Sequence, residues 1–345
     1  MADPPPTGRR PTIKDVAARA GVSKGMVSLA LRGAAGPSAE TAARVLRAAE
    51  ELGYRADRTA SLLARRRTRL LGVTMTVRNA FHAELVEGVQ AAAEAAGYEV
   101  VLSAVTRTRG ERAAVETLLD SRCEAVLLLG PELPAADLAA LDRRTPLVVV
   151  GRRTGRTDLD VVRSADDVGI ALAVDHLVGL GHRDVVHVSG GAGDIARDRR
   201  EGFVRAMTAH GIAERAHVLE AGFSEEAGAA AAHRLLTAHP GATAVVAASD
   251  RTALGLLDVL VRADVAVPGR ISVVGYDDSA LAQLGHVQLT SVSQDPAGQA
   301  QRAVQAAVER LDAGRREHAD VVLAPHLVVR RTTGTAPPGR PARNG

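Results

Sequence analysis

Tryptophan is absent from this 345-residue chain, and phenylalanine and tyrosine occur only three times each. Any core is therefore mostly aliphatic, and 46% hydrophobic residues suffice to bury a sizeable one. A single cysteine, Cys123, excludes an internal disulfide and suits a reducing compartment. It stands just before an apolar run and reads as a small buried residue. The apolar runs, such as Ala125–Leu129 and Leu147–Val150, fall far short of the ~20 residues that span a bilayer. No charged-then-apolar leader opens the chain, so a cytoplasmic protein is expected. Metal-ligand spacing and a serine elbow are also missing. His176, His182 and His187 are spread over two elements and read as structural. Gly190–Gly193 follows a strand but lacks the Gly-x-Gly-x-x-Gly spacing of a dinucleotide loop. Neither an enzyme nor a cofactor or metal is expected.

What is present begins at Thr12. Thr12 caps a first short helix with Asp15 at the capping-box position, and Ile13, Val16, Ala17 and Ala20 form its apolar face. Gly21 turns the chain, and Ser23 caps a second helix whose Val27 and Leu31 point inward. Its other face shows Lys24, Gly25, Ser28, Leu29 and Arg32. A third helix follows, capped by Ser38, with Val45, Ala49 and Leu52 as its stripe and Gly53 at its end. Two helices joined by a sharp turn form the layout that places a helix in a DNA major groove.

Charge distribution points the same way. Residues 1–69 carry 14 Lys or Arg against 6 Asp or Glu, a net of +8. The remainder carries 29 against 34, a net of −5. Both lysines, Lys14 and Lys24, lie in the basic module. A basic module on a mildly acidic body fits a phosphate-binding domain joined to one that binds something else.

From Leu70 onward short apolar strands alternate with Ala-rich helical stretches. Strands are expected at Leu70–Val77, Glu99–Val105, Ala125–Leu129, Leu147–Val150, Asp184–Ser189, His217–Glu220, Ala244–Ala248 and Ile271–Gly275, and helices at about 82–96, 109–120, 167–180, 200–210, 224–238, 250–263 and 296–313. This alternation predicts parallel sheets covered on both faces, in two sets at about 70–160 and 161–290. The fold class expected is an all-α three-helix helix-turn-helix headpiece plus an α/β core of two doubly wound parallel-sheet lobes. The boundaries are a disordered arm (1–11), the headpiece (12–56), a hinge helix and linker (57–69), the core (70–333) and a disordered tail (334–345).

Several collinear motifs carry a resemblance. They are the headpiece, Tyr54–Ala64, Gly181-His182-Arg183, Arg199-Arg200-Glu201-Gly202-Phe203, Val274-Gly275-Tyr276-Asp277-Asp278 and Leu323-Ala324-Pro325-His326-Leu327-Val328-Val329-Arg330. Together, from about Thr12 to Thr333, the chain resembles the lactose/galactose-repressor family of bacterial transcription regulators. The resemblance implies a homodimer on a palindromic operator in double-stranded DNA, close to the nucleoid, with a small effector between two lobes.

The resemblance also assigns roles. Lys24 and Gly25 read bases, with Ser28 and Leu29 one turn on, while Ser23, Ser28 and Arg32 contact phosphates; Thr12 and Arg58 join the DNA-contacting set. Leu63 is the wedge that two hinge helices insert into the minor groove. Where many relatives carry arginine, this chain has Leu29. The effector residues carried over are Phe81, His82, Arg199, Phe223, Ser249 and Asp277. Phe81 and Phe203 also read as simple core, and His82 as a solvated helix start. Ser249 stands where an asparagine is usual, and Gly151 where an aspartate is. The following Arg152 and Arg153 either favour an anionic or phosphorylated ligand or are solvated surface. A sugar or sugar derivative is the first expectation and a purine or nucleoside the second; a solute-binding protein with no DNA role is disfavoured by the basic headpiece.

Overall fold

The computed structural model describes residues 11–31, 35–54 and 67–338. Arg32, Arg58 and Leu63 lie outside the described residues, as do most of the expected arm and hinge and residues 339–345 of the expected tail. The chain divides into two compact units, Met1–Thr68 and Arg69–Gly345.

The first unit holds α1 (Ile13–Ala20), α2 (Lys24–Leu31) and α3 (Ala39–Glu51). Asp15 accepts from both the backbone N–H and the hydroxyl of Thr12, each at 2.7 Å. Gly21 takes φ 66°, a left-handed conformation that favours glycine, and so lets α2 start at a new angle. Ser23 and Ser38 cap the next two helices through the N–H groups of Met26 and Thr41. Val16, Ala17, Ala20, Val27, Ala30, Val45, Ala48 and Ala49 close a small core, with Leu31 and Leu52 packed against it. Arg44 ties α3 to α1 through the Ala20 carbonyl, at 3.1 Å.

The second unit contains two six-stranded sheets. In lobe 1 the order is β11-β5-β4-β3-β1-β2, built from β1 (Leu70–Thr76), β2 (Glu99–Val105), β3 (Ala125–Leu129), β4 (Leu147–Val150), β5 (Asp160–Ser164) and β11 (Asp320–Leu323). In lobe 2 the order is β12-β10-β9-β8-β6-β7, from β6 (Val185–Ser189), β7 (Ala216–Glu220), β8 (Ala244–Ala247), β9 (Ser272–Asp277), β10 (Thr290–Ser293) and β12 (His326–Val328). Pairing is parallel except where β12 runs antiparallel to β10. Helices cover the faces, among them α4 (Ala80–Ala95), α5 (Glu111–Asp120), α6 (Ala135–Asp142), α7 (Asp166–Gly179), α8 (Asp194–Ala209), α9 (Glu225–Ala238), α10 (Asp250–Arg262) and α11 (Pro296–Asp312).

The two expected sets of elements need correction. The lobes are not consecutive blocks, because α11 and β11 return to lobe 1 after lobe 2 is almost complete. Ala300, Ala303, Val304, Ala306 and Ala307 of α11 sit in the lobe 1 core beside Leu85 and Val89. Residues 334–338, expected within a disordered tail, are described, and two of them bond lobe 2. Gly334 bonds Ser272 at 3.1 Å, and the N–H of Ala336 donates to the Leu180 carbonyl at 2.9 Å. Small residues after the last strand let the backbone lie against the lobe.

Candidate ligand cleft and DNA-reading face

Both sheets share one winding: the chain starts centrally, adds β2 or β7 on one side, then moves to the other. Loops leaving the carboxyl ends of β1 and β3, or of β6 and β8, thus diverge at a switch point, where open α/β sheets bind ligands. A cavity of about 640 Å³ lies there, between the lobes. It is lined by Phe81, His82, Arg199, Phe223, Ser249 and Asp277, the full effector set carried over from the sequence.

Arg199 is 3% exposed. Its Nε donates to Asp166 Oδ1 at 2.8 Å and its Nη1 to the Ala248 carbonyl at 2.5 Å. The guanidinium lies over the Tyr276 ring, 3.7 Å from its centroid. Only Nη2 of the fork is uncommitted among the described residues, so Arg199 offers a ligand one amino group rather than two. Gly202 explains the spacing of the Arg-x-x-Gly-Phe motif: a Cβ there would sit 2.9 Å from Asp167 Cα, so glycine lets α8 press against α7. Phe203 is fully buried and belongs to the core.

Asp277 ends β9 with φ 114°, and Asp278 follows at φ 52°. Two consecutive non-glycine residues at positive φ mark backbone held in strain beside the cavity. Asp277 Oδ1 accepts from Gln294 Nε2 at 2.7 Å and lies 3.9 Å from Arg199. Burial pushes its carboxyl well above the ordinary range, reinforced by Asp250 and Asp166 and opposed by Arg199 and Gln294. Asp250 beneath it is pushed up to about 6, again mainly by burial. It accepts from Ser279 in the loop after β9 and from the Ser291 hydroxyl of β10. Gln294, absent from the sequence-based set, also lines the cavity. Its signal was its place in the crossover from β10 to α11, which no motif marks.

Phe223 is the most open aromatic lining the cavity, 36% exposed. Its ring lies on Gly190, where a Cβ would fall 2.1 Å from ring atom Cζ. The glycine run after β6 thus makes room for an aromatic face. On the lobe 1 side Phe81 packs into the core with one edge on the cavity. His82 is 5% exposed, which corrects its reading as a solvated helix start. Burial lowers its imidazole to about 4, so the ring is neutral. Nδ1 accepts from the Thr76 N–H at 3.1 Å, which leaves the proton on Nε2. Ser249 spends its hydroxyl capping α10, accepting from the Thr252 N–H at 3.2 Å.

Arg152 and Arg153 are not free positive charge. Arg152 is buried, pairs with Asp194 and donates to the Leu133 carbonyl, while Arg153 pairs with Asp198 at 3.2 Å. Of the histidines read as structural, His182 bridges Thr243 and the Gly334 carbonyl, and His187 bonds the Val246 carbonyl. Among the described residues no cluster of His, Cys, Asp and Glu could hold a metal ion.

In the first unit Ser23, Lys24 and Gly25 are exposed at the start of α2, with Ser28 and Leu29 half-buried one turn later. Leu29 Cδ1 would stand 3.3 Å from a Cβ at Gly36, so this side chain leans on the turn before α3. Gly25 has open space: a Cβ would meet only Ser23 Oγ, at 3.8 Å. Thr12 is occupied with its cap.

A capped helix-turn-helix unit attached to a two-lobed, cleft-bearing α/β unit defines a ligand-responsive DNA-binding protein. Two family models match it, one describing bacterial regulatory proteins of the lacI family over residues 12–57 and one a periplasmic binding protein-like domain over 174–333. The regulator CelR of Thermobifida fusca is 32% identical over 94% of this chain and 98% of its own length. A LacI transcriptional regulator from a Rhodococcus species is 47% identical, with a TM-score of 0.75 over 77% of this chain and 99% of that one. The lac repressor dimer solved with operator and the anti-inducer ONPF is 29% identical, with a TM-score of 0.82 over 94% of this chain and all of that one. The chain belongs to the lacI family of bacterial transcription regulators. These relatives are named as regulators or repressors, and no helix among the described residues is long and apolar enough to cross a membrane.

Proposed function

We propose that this regulator is a repressor that binds a near-palindromic operator as a homodimer and is controlled by a sugar or sugar derivative in the cleft. It works in the cytoplasm, at the nucleoid, without enzymatic activity. One observation carries the effector reading: six residues from segments far apart in the chain line a single cavity. An aromatic face on Phe223, a single amino group on Arg199, the imidazole N–H of His82 and the carboxyl of Asp277 suit a polyhydroxylated ring. On the DNA side Lys24 is the base reader, since lysine donates to guanine acceptors in the major groove. Gly25 admits close backbone approach, and Ser23 and Ser28 hold phosphates. Leu63 is the minor-groove wedge.

Genomic footprinting supplies the operator, and a promoter assay then tests the cleft. Arg199→Ala and Asp277→Ala should each abolish the effector response while operator binding persists. Normal responses in both variants would refute the cleft as the effector site.

A further inference from the structure

The cleft does not end at Phe223. Beyond that ring it opens into a second, shallower cavity of about 530 Å³, lined by Arg78, Arg107, Phe223, Ser224, Glu226 and Arg251. Phe223, Arg78 and Arg251 line both spaces.

Inside, the arginine charges are already paired with carboxylates. Arg199 is held by Asp166 and the Ala248 carbonyl, and Arg152 by Asp194 and the Leu133 carbonyl. At the mouth the balance changes. Arg251 is clamped by both carboxylate oxygens of Glu225 and donates to the Arg78 carbonyl, which makes it a fixed wall. The Arg78 guanidinium stands 3.6 Å from Glu226, with both side chains more than half exposed, a loose pair of little strength. Arg107 is exposed and has no side-chain partner among the described residues.

The strand register brings these two groups together. Thr76 of β1 pairs with Val105 of β2, and Arg78 and Arg107 each follow two residues later. The two strands end next to each other, and both arginines line the one cavity at the rim of lobe 1. Two guanidinium groups lining one cavity with an aromatic ring match a phosphate or a carboxylate, whose oxygens accept from both.

We infer that the natural effector carries an anionic group, a phosphate or a carboxylate, which leaves the cleft past Phe223 and is held by Arg78 and Arg107. This rests on the carbohydrate reading above and narrows it. The neutral part of the ligand fills the inner cavity and the charge stays in the wetter mouth. That arrangement avoids burying an anion beside Asp277 and Asp166.

The full-length protein is tested by calorimetric titration with a panel of hexoses and disaccharides, each beside its 6-phosphate and its uronate. One phosphorylated or uronate member should bind at least about tenfold more tightly than its neutral parent. The preference should shrink as salt is raised. The phosphate and carboxylate arms separate the two sources of charge. In R78Q/R107Q, whose melting temperature checks folding, the preference should fall towards one. A neutral sugar that binds as well as its charged forms overturns the inference and leaves the carbohydrate reading standing. So does a preference that survives in R78Q/R107Q. If no member of the panel binds, both fall.

Discussion

Arg199 sits at the centre of the cleft with its charge sealed from water, and its balance can be tested by removing one acid. Two carboxylates stand near it, but they are not equivalent. Asp166 touches Nε at 2.8 Å, whereas Asp277 is 3.9 Å away and is driven towards its protonated form by burial. Asp166 is therefore the working counter-ion. Asp166→Asn keeps the shape and removes the charge, leaving a buried guanidinium unpaired at a cost of about 3–5 kcal/mol. For a unit of this size that lowers the melting temperature by roughly 6–10 °C. With no tryptophan in the chain, far-ultraviolet circular dichroism in a urea series is the suitable probe. The control is Asp166→Asn/Arg199→Met, which replaces the pair by an apolar side chain of similar volume. It should recover to within about 1 kcal/mol of the parent yet fail to respond to effector. A cost below about 1 kcal/mol for Asp166→Asn would refute this reasoning, as would a double variant no more stable than the single one.

Three further outcomes are expected. Gly190→Val should push the Phe223 ring out of place and weaken effector binding by about 2–10-fold, with little loss of melting temperature because the ring is half exposed; titration calorimetry reads the first and thermal melts the second. His82 has its folded pKa below its unfolded one, so its contribution to stability is present above about pH 6.5 and is lost as pH falls towards 4. Between pH 7 and pH 5 that loss is about 2 kcal/mol, and urea unfolding at both values should show a smaller decline in His82→Gln than in the parent. Asp250, raised by burial, works in the opposite sense between about 4 and 6 and is common to both proteins. Leu63→Ala should reduce operator affinity and bending, measured by gel shift and circular permutation, without changing the stability of the core; normal bending with a lower melting temperature would make Leu63 a packing residue.

The sequence was most readable where local chemistry decides the outcome. Glu99–Val105, Ala125–Leu129 and Leu147–Val150 form strands with the expected bounds, because apolar runs between turn residues need no distant partner to declare themselves. The headpiece caps are equally local, since Thr12, Ser23 and Ser38 bond groups within three residues. Four strands escaped notice: Asp160–Ser164, Thr290–Ser293, Asp320–Leu323 and His326–Val328. They are short, and three contain Ser, Thr or Asp that tertiary pairing alone makes extended, as Asp160 shows by bonding Arg315 and the Ala319 N–H. Helix α6 was missed for the same shortness. In the cleft, motif order located Arg199, Phe223 and Asp277 but not how each is spent. That Arg152 faces Asp194, and that His82 is buried, depends on residues far apart in the chain.

The late return of α11 and β11 to lobe 1 has a consequence for the protein while it is being made. A ribosome releases the headpiece first, and its three helices cap and pack through residues of their own unit. Lobe 1 cannot follow in the same way. Until residues 296–323 emerge, β5 has an open edge, and the apolar surface around Leu85 and Val89 has nothing to cover it. Lobe 2 waits too, for β12 at its own edge. The last seventh or so of the chain therefore completes both lobes at once, so a stop codon there would not trim an appendage. It would release a finished DNA reader on an unfinished sensor.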